Sequence, residues 1–255
     1  MKTLWITLCK NEMDILPFVR RYWERINCNV LVYDNGSNDG SVEYLSSIPY
    51  VTVKSFESDG HNDIVHKHVK EQAYLENKND YDIIIITDMD EVFYFEGFEN
   101  IMDNMVKANI NTLITPLYSI CEDYMPEYND KLLLHQLCHK FYKQRMNHMK
   151  GFDDYSKISI FNTKITDKVE MSVGQHYVQT YPAMRLAISN NAFGIHFDKG
   201  FGVDYYVNKK RKMGENLSET NKKYGMGIEY LNSIEQMKQE YENNQKKSFD
   251  INKKG

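Results

Sequence analysis

The sequence has no hydrophobic run that could cross a membrane, and the apolar stretch near its N-terminus meets charged residues by position 10. A spanning helix needs about 20 apolar residues, and a signal peptide needs a longer apolar core than this one. The sequence also has no internal repeat and no linker that would separate domains. For a chain of 255 residues, these absences predict one globular domain, which we expect in the cytoplasm.

The sequence has only four cysteines, and its 31 basic residues are outnumbered by 36 acidic ones. The four cysteines form no Cys-x-x-Cys pair and have no metal-binding spacing to histidine, so free thiols in a reducing compartment are expected. The net charge is −5, which argues against a nucleic-acid partner, although basic residues outnumber acidic ones after Lys199. That basic segment can bind phosphates, contact an anionic membrane surface as a peripheral protein does, or be a solvated helix face.

Apolar runs and helical repeats alternate over residues 1–118. Short apolar runs predict strands, whereas apolar residues three and four apart predict helices. Four consecutive isoleucines at 83–86 are typical of a strand that is covered on both faces. The alternation predicts an α/β fold in which a mostly parallel central sheet is flanked by helices. The predicted strands are 4–9, 30–33, 51–56 and 81–87, and the predicted helices are 15–25, capped by Asp14, and 62–76.

The pattern is weaker after residue 118. The acidic, tyrosine-rich segment 121–130 is predicted to be a loop. Helical spacing returns at 203–213 and 228–243, and the last ten residues are expected to be frayed. Short strands are predicted at 158–162, 177–180, 185–188 and 193–197.

Polar clusters follow three of the predicted strands, at the edge where parallel sheets bind their ligands. Asp88 and Asp90 are two positions apart in an extended segment, so both carboxylates can face one hard cation such as Mg²⁺ or Mn²⁺. An isolated Asp-x-Asp is also typical of an exposed turn, and the turn after Asp34 can form without a ligand. The clusters are Lys10-Asn11-Glu12, Asp34-Asn35-Gly36-Ser37 and Asp88-Met89-Asp90-Glu91.

The order of these motifs resembles glycosyltransferase family 2. The similarity is closest to the branch with Lys-Asn-Glu after the first strand and an Asp-x-Asp-Glu metal motif, which here end at Glu12 and Glu91. It is closest over residues 3–95 and extends more loosely to residue 214. The looser matches are Lys157, Gly174-Gln175-His176, Ile195-His196-Phe197 and Lys209-Lys210-Arg211.

The resemblance implies a GT-A fold and an enzyme that uses a nucleotide-diphosphate sugar, with a UDP-sugar favoured. Mn²⁺ or Mg²⁺ is implied at the diphosphate, where it assists departure of the leaving group. The acceptor is implied to be a hydroxyl of a glycan or polysaccharide, whose attack inverts the anomeric carbon. The chain then divides into a donor-binding half, an acceptor-side half that completes the active site, and a C-terminal helix with a basic tail, at 1–118, 119–214 and 215–255 of one compact domain.

The same resemblance assigns roles to individual residues. Asp88 is implied to contact the ribose or sugar and the metal, Asp90 to be the firmest metal ligand, and Glu91 to support them. His196 is the candidate third ligand because neutral imidazole suits Mn²⁺, although a histidine between phenylalanines also fits a core. Lys209 and Arg211 fit either a diphosphate site or a solvated helix face. The residues implied around the base and ribose are Thr7, Asn11, Glu12 and Asp34.

An inverting enzyme needs a carboxylate that accepts the proton of the acceptor hydroxyl. Asp153 and Asp154 are the candidates, with Glu122 and Asp123 as rivals, and each can also be an ordinary loop acid. Residues 119–150 match nothing in the family, so we expect the acceptor specificity to lie there.

Other functions are less well supported by the sequence. A nucleotidyltransferase would need a glycine-rich phosphate loop, but residues 4–12 contain no glycine, and a phosphohydrolase would need an aspartate directly after the first strand. A non-catalytic binding protein is disfavoured because the Asp-x-Asp-Glu motif is retained. His61, His66 and His68 fit no ligand spacing on one helical face and are predicted to be surface or packing residues.

Overall fold

The computed structural model describes residues 1–143, 156–175, 177–189 and 191–253. Within these ranges the strands are β1 (Thr3–Cys9), β2 (Asn29–Asp34), β3 (Val51–Ser55), β4 (Ile83–Asp88), β5 (Glu91–Phe95), β6 (Thr112–Glu122), β7 (Phe141–Tyr142), β8 (Ser156–Asn162), β9 (Lys168–Met171), β10 (Val178–Tyr181), β11 (Leu186–Ile188) and β12 (Ala192–Phe201). The helices are α1 (Leu16–Ile26), α2 (Ser41–Ser46), α3 (Asp63–Asn77), α4 (Phe98–Lys107), α5 (Leu134–Leu137), α6 (Val203–Glu215), α7 (Glu219–Tyr224) and α8 (Ile234–Lys246).

One large sheet organises the described chain, with the strand order β3-β2-β1-β4-β8-β6-β12-β5. The first four of these strands are parallel, β8 runs antiparallel to both of its neighbours, and β12 is parallel to β6 but antiparallel to β5. This arrangement confirms the predicted α/β domain, in which a mostly parallel central sheet is flanked by helices.

Strand β4 lies in the middle of the sheet between β1 and β8. Its side chains are buried on both faces, as its run of isoleucines predicts. Ile83 and Ile85 pack into the core on one side of the sheet, and Ile84 and Ile86 pack into the core on the other side. At the carboxyl end of β4, Thr87 accepts a buried hydrogen bond of 2.8 Å from the indole Nε1 of Trp5 on β1. The residues that follow Thr87 therefore start from a firmly held strand end.

Two local predictions about helices were wrong. Asp14 does not cap α1, since Ile15 occupies the N-cap position without any side-chain cap and the helix begins with a proline in its first turn. Such a proline is already suited to the helical start, because its missing N–H has no helical partner there. The helix predicted at 228–243 is interrupted, and α8 begins only after Ser233, whose Oγ accepts a hydrogen bond from the amide of Gln236.

The prediction of a frayed C-terminus was also wrong for the described residues. Phe249 and Phe141 exchange two backbone hydrogen bonds of 2.8 and 2.9 Å. The side-chain amide of Asn252 donates to the carbonyl oxygens of His135 and Cys138. These contacts connect the chain end to the segment that contains α5 and β7.

Gly60 allows the loop before α3 to lie against the connection between α6 and α7. Its φ is +91°, and a Cβ at this position would lie 2.1 Å from the carbonyl oxygen of Asn216. Gly40 has a similar φ of +94°, but a Cβ there would meet no described atom within 4 Å.

We expect Gly60→Ala to lower the free energy of unfolding by about 2–4 kcal/mol, because backbone strain and a steric clash add together. Gly40→Ala, with the strain alone, should lower it by about 1–2 kcal/mol. Urea denaturation of both variants measures the difference, and equal losses would contradict the close approach at Gly60.

Candidate active site

The turns after β1 and β2 form one connected surface. The ammonium group of Lys10 donates to the carbonyl oxygen of Asn35 at 2.7 Å. The backbone amide of Asn11 donates to Ser37 Oγ, and the Asn11 side-chain oxygen accepts from the amide of Asn38, both at 2.8 Å. Two motifs that are separate in the sequence therefore lie together at the carboxyl edge of the sheet.

Asp34 is buried at the centre of this surface and shapes its turn. Its carboxylate accepts hydrogen bonds from the backbone amide of Ser37 at 2.9 Å and from the Ser37 hydroxyl at 2.5 Å. Thr7 is buried within β1, and its Oγ1 has no hydrogen-bond partner among the residues that the structure describes. The structure thus gives Asp34 a role in the turn, and contact of either residue with a base or ribose remains a prediction.

Asp88, at the end of β4, contacts two lysines from different elements. Lys70 of α3 donates to Asp88 Oδ1 at 2.6 Å, and Lys157 of β8 lies 3.4 Å from Oδ2. Burial favours the neutral acid, but the two ammonium groups outweigh it and hold the pKa of Asp88 well below its usual range. Gln175 fixes Lys70 from the other side, since its Oε1 accepts from the ammonium at 3.2 Å. Asp88 is therefore an ionised carboxylate between two cations.

Glu91 contacts both the backbone of Asp88 and the side chain of Lys157. Its side chain is 2% exposed and accepts hydrogen bonds at both carboxylate oxygens from Lys157, whose side chain is 5% exposed. Glu91 Oε2 also accepts from the backbone amide of Asp88 at 3.3 Å. Burial lowers the pKa of Lys157, but Glu91 and Asp88 raise it by more, so the ammonium stays charged. Glu91 therefore contacts both Lys157 and the backbone of Asp88, and its predicted role beside a metal ion stays a prediction.

Asp90 lies in the turn between β4 and β5 and faces two cationic groups from one stretch of chain. Lys209 Nζ is 2.7 Å from Asp90 Oδ2, and His196 Nε2 is 3.4 Å from the same oxygen. Burial would raise the pKa of Asp90, but Lys209 and His196 outweigh it and lower it well below its usual range. On its other side, His196 Nδ1 lies 3.8 Å from the carboxylate of Asp198. Burial lowers the pKa of His196, whereas Asp198 and Asp90 raise it to about 9.

Asp90 and His196 suit a divalent ion as two of its ligands. The facing atoms, Asp90 Oδ2 and His196 Nε2, are 3.4 Å apart. This distance is close to the roughly 3 Å expected between neighbouring ligands of an octahedral ion with bonds of about 2.1 Å. A carboxylate with an imidazole is a donor set for Mn²⁺, and a carboxylate behind the imidazole, here Asp198, is a common orienting partner. Within residues 1–143, 156–175, 177–189 and 191–253, no third carboxylate, thiol or imidazole joins this pair within 4.8 Å. Asp88 instead faces lysines, and Lys209 now occupies the Asp90 oxygen.

Glu12 links the Lys-Asn-Glu motif to Asp90. Burial is the main cause that raises the pKa of Glu12 to about 7, with Lys209 opposing the shift and Asp90 adding to it. Burial also raises the pKa of Tyr205 to about 12, and the charges of Lys209, Glu12 and Asp90 act on this group as well. The charges of Glu12, Asp90 and Lys209 are thus close enough to influence one another, and the ends of β1 and β4 are neighbours, since the amide of Met89 donates to the carbonyl oxygen of Leu8 at 3.1 Å.

Some predicted residues lie apart from this cluster. The side chain of Arg211 is 52% exposed and pairs with Glu215 on the next turn of α6. Lys210 lies over the ring of Tyr230, with its Nζ 4.6 Å from the ring centroid. A groove of about 790 Å³ between α3 and the β9–β10 hairpin is lined by neither Asp88 nor Asp90.

The predicted catalytic base stays unplaced. Asp153 and Asp154 lie outside the described residues, as does His176. Of the rival acids, Glu122 accepts hydrogen bonds from the backbone amides of His139 and Lys140, and Asp123 accepts from Gln245 at 2.7 Å and pairs with Lys140. Both rivals therefore hold neighbouring segments together.

Several residues at the site were not found by sequence reasoning. Lys70 lies within a predicted helix and belongs to no motif. The sequence could have indicated its role only through the rule that a lysine on a buried helix face needs an acidic partner. Asp198 lies two positions after His196, on the same side of β12, a spacing that could have been noticed. His61 and His66 were interpreted as surface or packing residues, but the structure brings both of them to Asp63.

No family model matches the sequence, and no curated protein matches it. Among solved structures, the chain is similar to S. aureus TarS, with 12% identity over 91% of this chain and 43% of that chain and a TM-score of 0.46. It is also similar to S. aureus TarS 1–349, with 14% identity over 91% of this chain and 71% of that chain and a TM-score of 0.46. The chain thus spans less than half of the longer TarS chain.

None of the described helices has both the length and the apolar character to cross a bilayer.

Proposed function

We propose that this protein is a metal-dependent glycosyltransferase that moves a sugar from a nucleotide-diphosphate sugar, with a UDP-sugar favoured, to a hydroxyl of a glycan or polysaccharide. The observation that carries the proposal is the cluster at the carboxyl end of β4, where Asp88 and Asp90 face three lysines within 3.4 Å. The lysines are Lys70, Lys157 and Lys209. Carboxylates and ammonium groups in such alternation suit a ligand that carries both a cation and phosphates.

Each residue of the cluster has a task in this proposal. Asp90 and His196 would hold the ion, Mn²⁺ or Mg²⁺, which when bound would supply positive charge to the departing diphosphate. Lys209 donates to the diphosphate oxygens in exchange for its present contact with Asp90. Lys70 and Lys157 keep Asp88 ionised and oriented towards the ribose or sugar. Glu12 and Asn11 belong to the adjoining surface, where the nucleoside would lie.

The transfer step itself needs a proton acceptor. In an inverting reaction the acceptor oxygen attacks the anomeric carbon while a carboxylate takes its proton, and the bond to the diphosphate breaks on the opposite side. Asp153 and Asp154 remain the candidates for this task.

The basic C-terminal part is proposed to contact a membrane face where the acceptor is assembled. Several of its lysines already have partners within the protein: Lys199 pairs with Glu240 at 2.6 Å, and Lys209 pairs with Asp90. Membrane contact therefore depends on the remaining basic residues, and sedimentation with anionic vesicles at low and high salt tests it.

Calorimetric titration of UDP tests the metal and the nucleotide together. We expect Mn²⁺ to tighten UDP binding at least about tenfold, because the ion offsets the repulsion between the diphosphate and the site's carboxylates. GDP and ADP, titrated in the same buffer, are the controls for the base. Equal UDP affinity with and without Mn²⁺ would refute the metal role.

Product analysis with a panel of nucleotide sugars separates the competing functions. A glycosyltransferase releases a nucleoside diphosphate, whereas pyrophosphate chemistry would identify a nucleotidyltransferase. If a folded sample neither transferred nor hydrolysed any donor of the panel, the non-catalytic interpretation would be favoured instead.

A further inference from the structure

A second group of metal-ligating side chains lies at the start of α3. His61, Asp63 and His66 each offer one potential ligand atom, and these atoms all lie within 4.8 Å of one another. The closest pair, His61 Nε2 and Asp63 Oδ1, is 3.3 Å apart. None of these residues belongs to the Asp-x-Asp-Glu motif or to the other motifs on which the proposed function rests.

The backbone holds two of these residues in place from different directions. His61 pairs with the connection between α6 and α7, since its amide donates to Asn216 and its carbonyl oxygen accepts from the amide of Ser218. Asp63 is the first residue of α3 and His66 lies three positions further, so both project from the same face of that helix. The group therefore joins a loop, a helix and a segment that is about 150 positions away in the chain.

The carboxylate of Asp63 is already oriented for a ligand at one oxygen. Asn221, which is fully buried on α7, donates from its side-chain amide to Asp63 Oδ2 at 2.8 Å and accepts from the Asp63 backbone amide at 3.1 Å. Oδ1 is left facing His61. A hydrogen-bonded partner that fixes a carboxylate in this way is typical of metal ligands.

His66 presents a buried nitrogen that lacks a partner. Its Nε2 is inaccessible to solvent and makes no hydrogen bond within the described part of the chain. The ring is held edge-on by Phe56 and by His61, with centroid distances of 5.7 and 5.0 Å. An unsatisfied buried nitrogen destabilises a protein, and a bound ion would remove that penalty.

We propose that His61, Asp63 and His66 bind a divalent transition-metal ion, for which Zn²⁺ is the best match, at a site separate from Asp90. Two imidazoles and one carboxylate are a common ligand set for Zn²⁺, with a fourth position left for water or substrate. Ligands of a tetrahedral ion with bonds of about 2.1 Å are roughly 3.4 Å apart, which the His61–Asp63 pair already matches. The nitrogen-rich donor set distinguishes this site from the oxygen ligands that Mg²⁺ requires.

Binding would connect the loop before α3 to the helix that carries Lys70. Lys70 lies one turn beyond His66 on α3 and pairs with Asp88, so an ion at the cluster would stiffen the support of the candidate active site. The proposal does not depend on glycosyl transfer, since the cluster is defined by its own ligands.

The test uses the full chain, stripped of metal and without nucleotide. Calorimetry with Zn²⁺ should show a site that persists in Asp90→Asn, and saturating Zn²⁺ should raise Tm by roughly 5–10 °C because the ion binds the folded state. Co²⁺ serves as a spectroscopic probe, since a tetrahedral nitrogen and oxygen site gives intense visible absorption. Absence of Zn²⁺ binding up to millimolar concentration would overturn the proposal.

Variants locate the ion. We expect His66→Gln and His61→Gln each to weaken Zn²⁺ binding at least about tenfold, whereas His68→Gln, with a side chain 67% exposed on the same helix, should bind as the wild type does. Circular dichroism verifies that each variant is folded. Two ligand variants are used so that the test remains valid if one of them does not fold. Unchanged affinity in both, or loss of Zn²⁺ binding in Asp90→Asn, would show that the ion binds elsewhere.

Discussion

Asp90→Asn is expected to lower kcat/KM for glycosyl transfer by about 100- to 1000-fold. The substitution keeps the size of the side chain but removes the negative charge that faces Lys209 and His196. An ion at this position would then lose its only charged ligand and keep the imidazole of His196 alone, and stabilisation of the leaving diphosphate would be lost. Release of nucleoside diphosphate, followed at saturating Mn²⁺ over a range of donor concentrations, measures the effect.

The matched control for this variant is Asp103→Asn. Asp103 is an exposed carboxylate on α4, so the same chemical change there should leave kcat/KM within about twofold. Calorimetry adds a second readout, because Asp90→Asn should also abolish the benefit of Mn²⁺ for UDP binding. A variant that retained both wild-type turnover and metal-enhanced UDP affinity would exclude Asp90 as a ligand.

Lys157→Met is expected to lower the free energy of unfolding by about 3–5 kcal/mol. Lys157 neutralises Glu91, and the two side chains are 5% and 2% exposed, so removal of the lysine leaves a buried carboxylate without its partner. Methionine preserves most of the aliphatic volume, which keeps the loss of packing small. Urea denaturation at neutral pH measures the change.

Two comparisons isolate the charge effect at Lys157. Lys164→Met removes a lysine whose side chain is 58% exposed and which pairs with Asp82 at 3.1 Å, and it should change stability by less than about 1 kcal/mol. The double variant Lys157→Met with Glu91→Gln should regain much of the loss, since the buried charge is gone. If Lys157→Met alone were as mild as Lys164→Met, the buried pair would not contribute as inferred.

The first half of the sheet was predictable because its signals are local. The apolar runs of β1, β2 and β4 are short and largely buried on both faces, so their pattern is visible within a few residues. Strand β5 was missed because its burial comes from pairing with β12, about 100 residues further along the chain. The length of β6, which continues into the segment predicted to be a loop, also depends on its distant neighbours β8 and β12.

The site divides in the same way. The positions of Asp88 and Asp90 followed from the rule that ligands lie at the carboxyl ends of parallel strands. Lys70 reaches Asp88 from a helix, a contact that only the packing of α3 on the sheet defines. The proximity of His61 and His66 to Asp63 was not predicted because helical spacing was applied to His61, which precedes the helix that contains Asp63 and His66.

The contacts of Asp90 have a thermodynamic consequence. Lys209 and His196 compete for one oxygen of its carboxylate, so an anion that drew the ammonium away would leave Asp90 with unbalanced negative charge. That imbalance would increase its affinity for a cation, and linkage requires the cation to increase the affinity for the anion by the same factor. A phosphate-bearing ligand and its counter-ion would therefore bind cooperatively, so that each would bind more tightly in the presence of the other than alone.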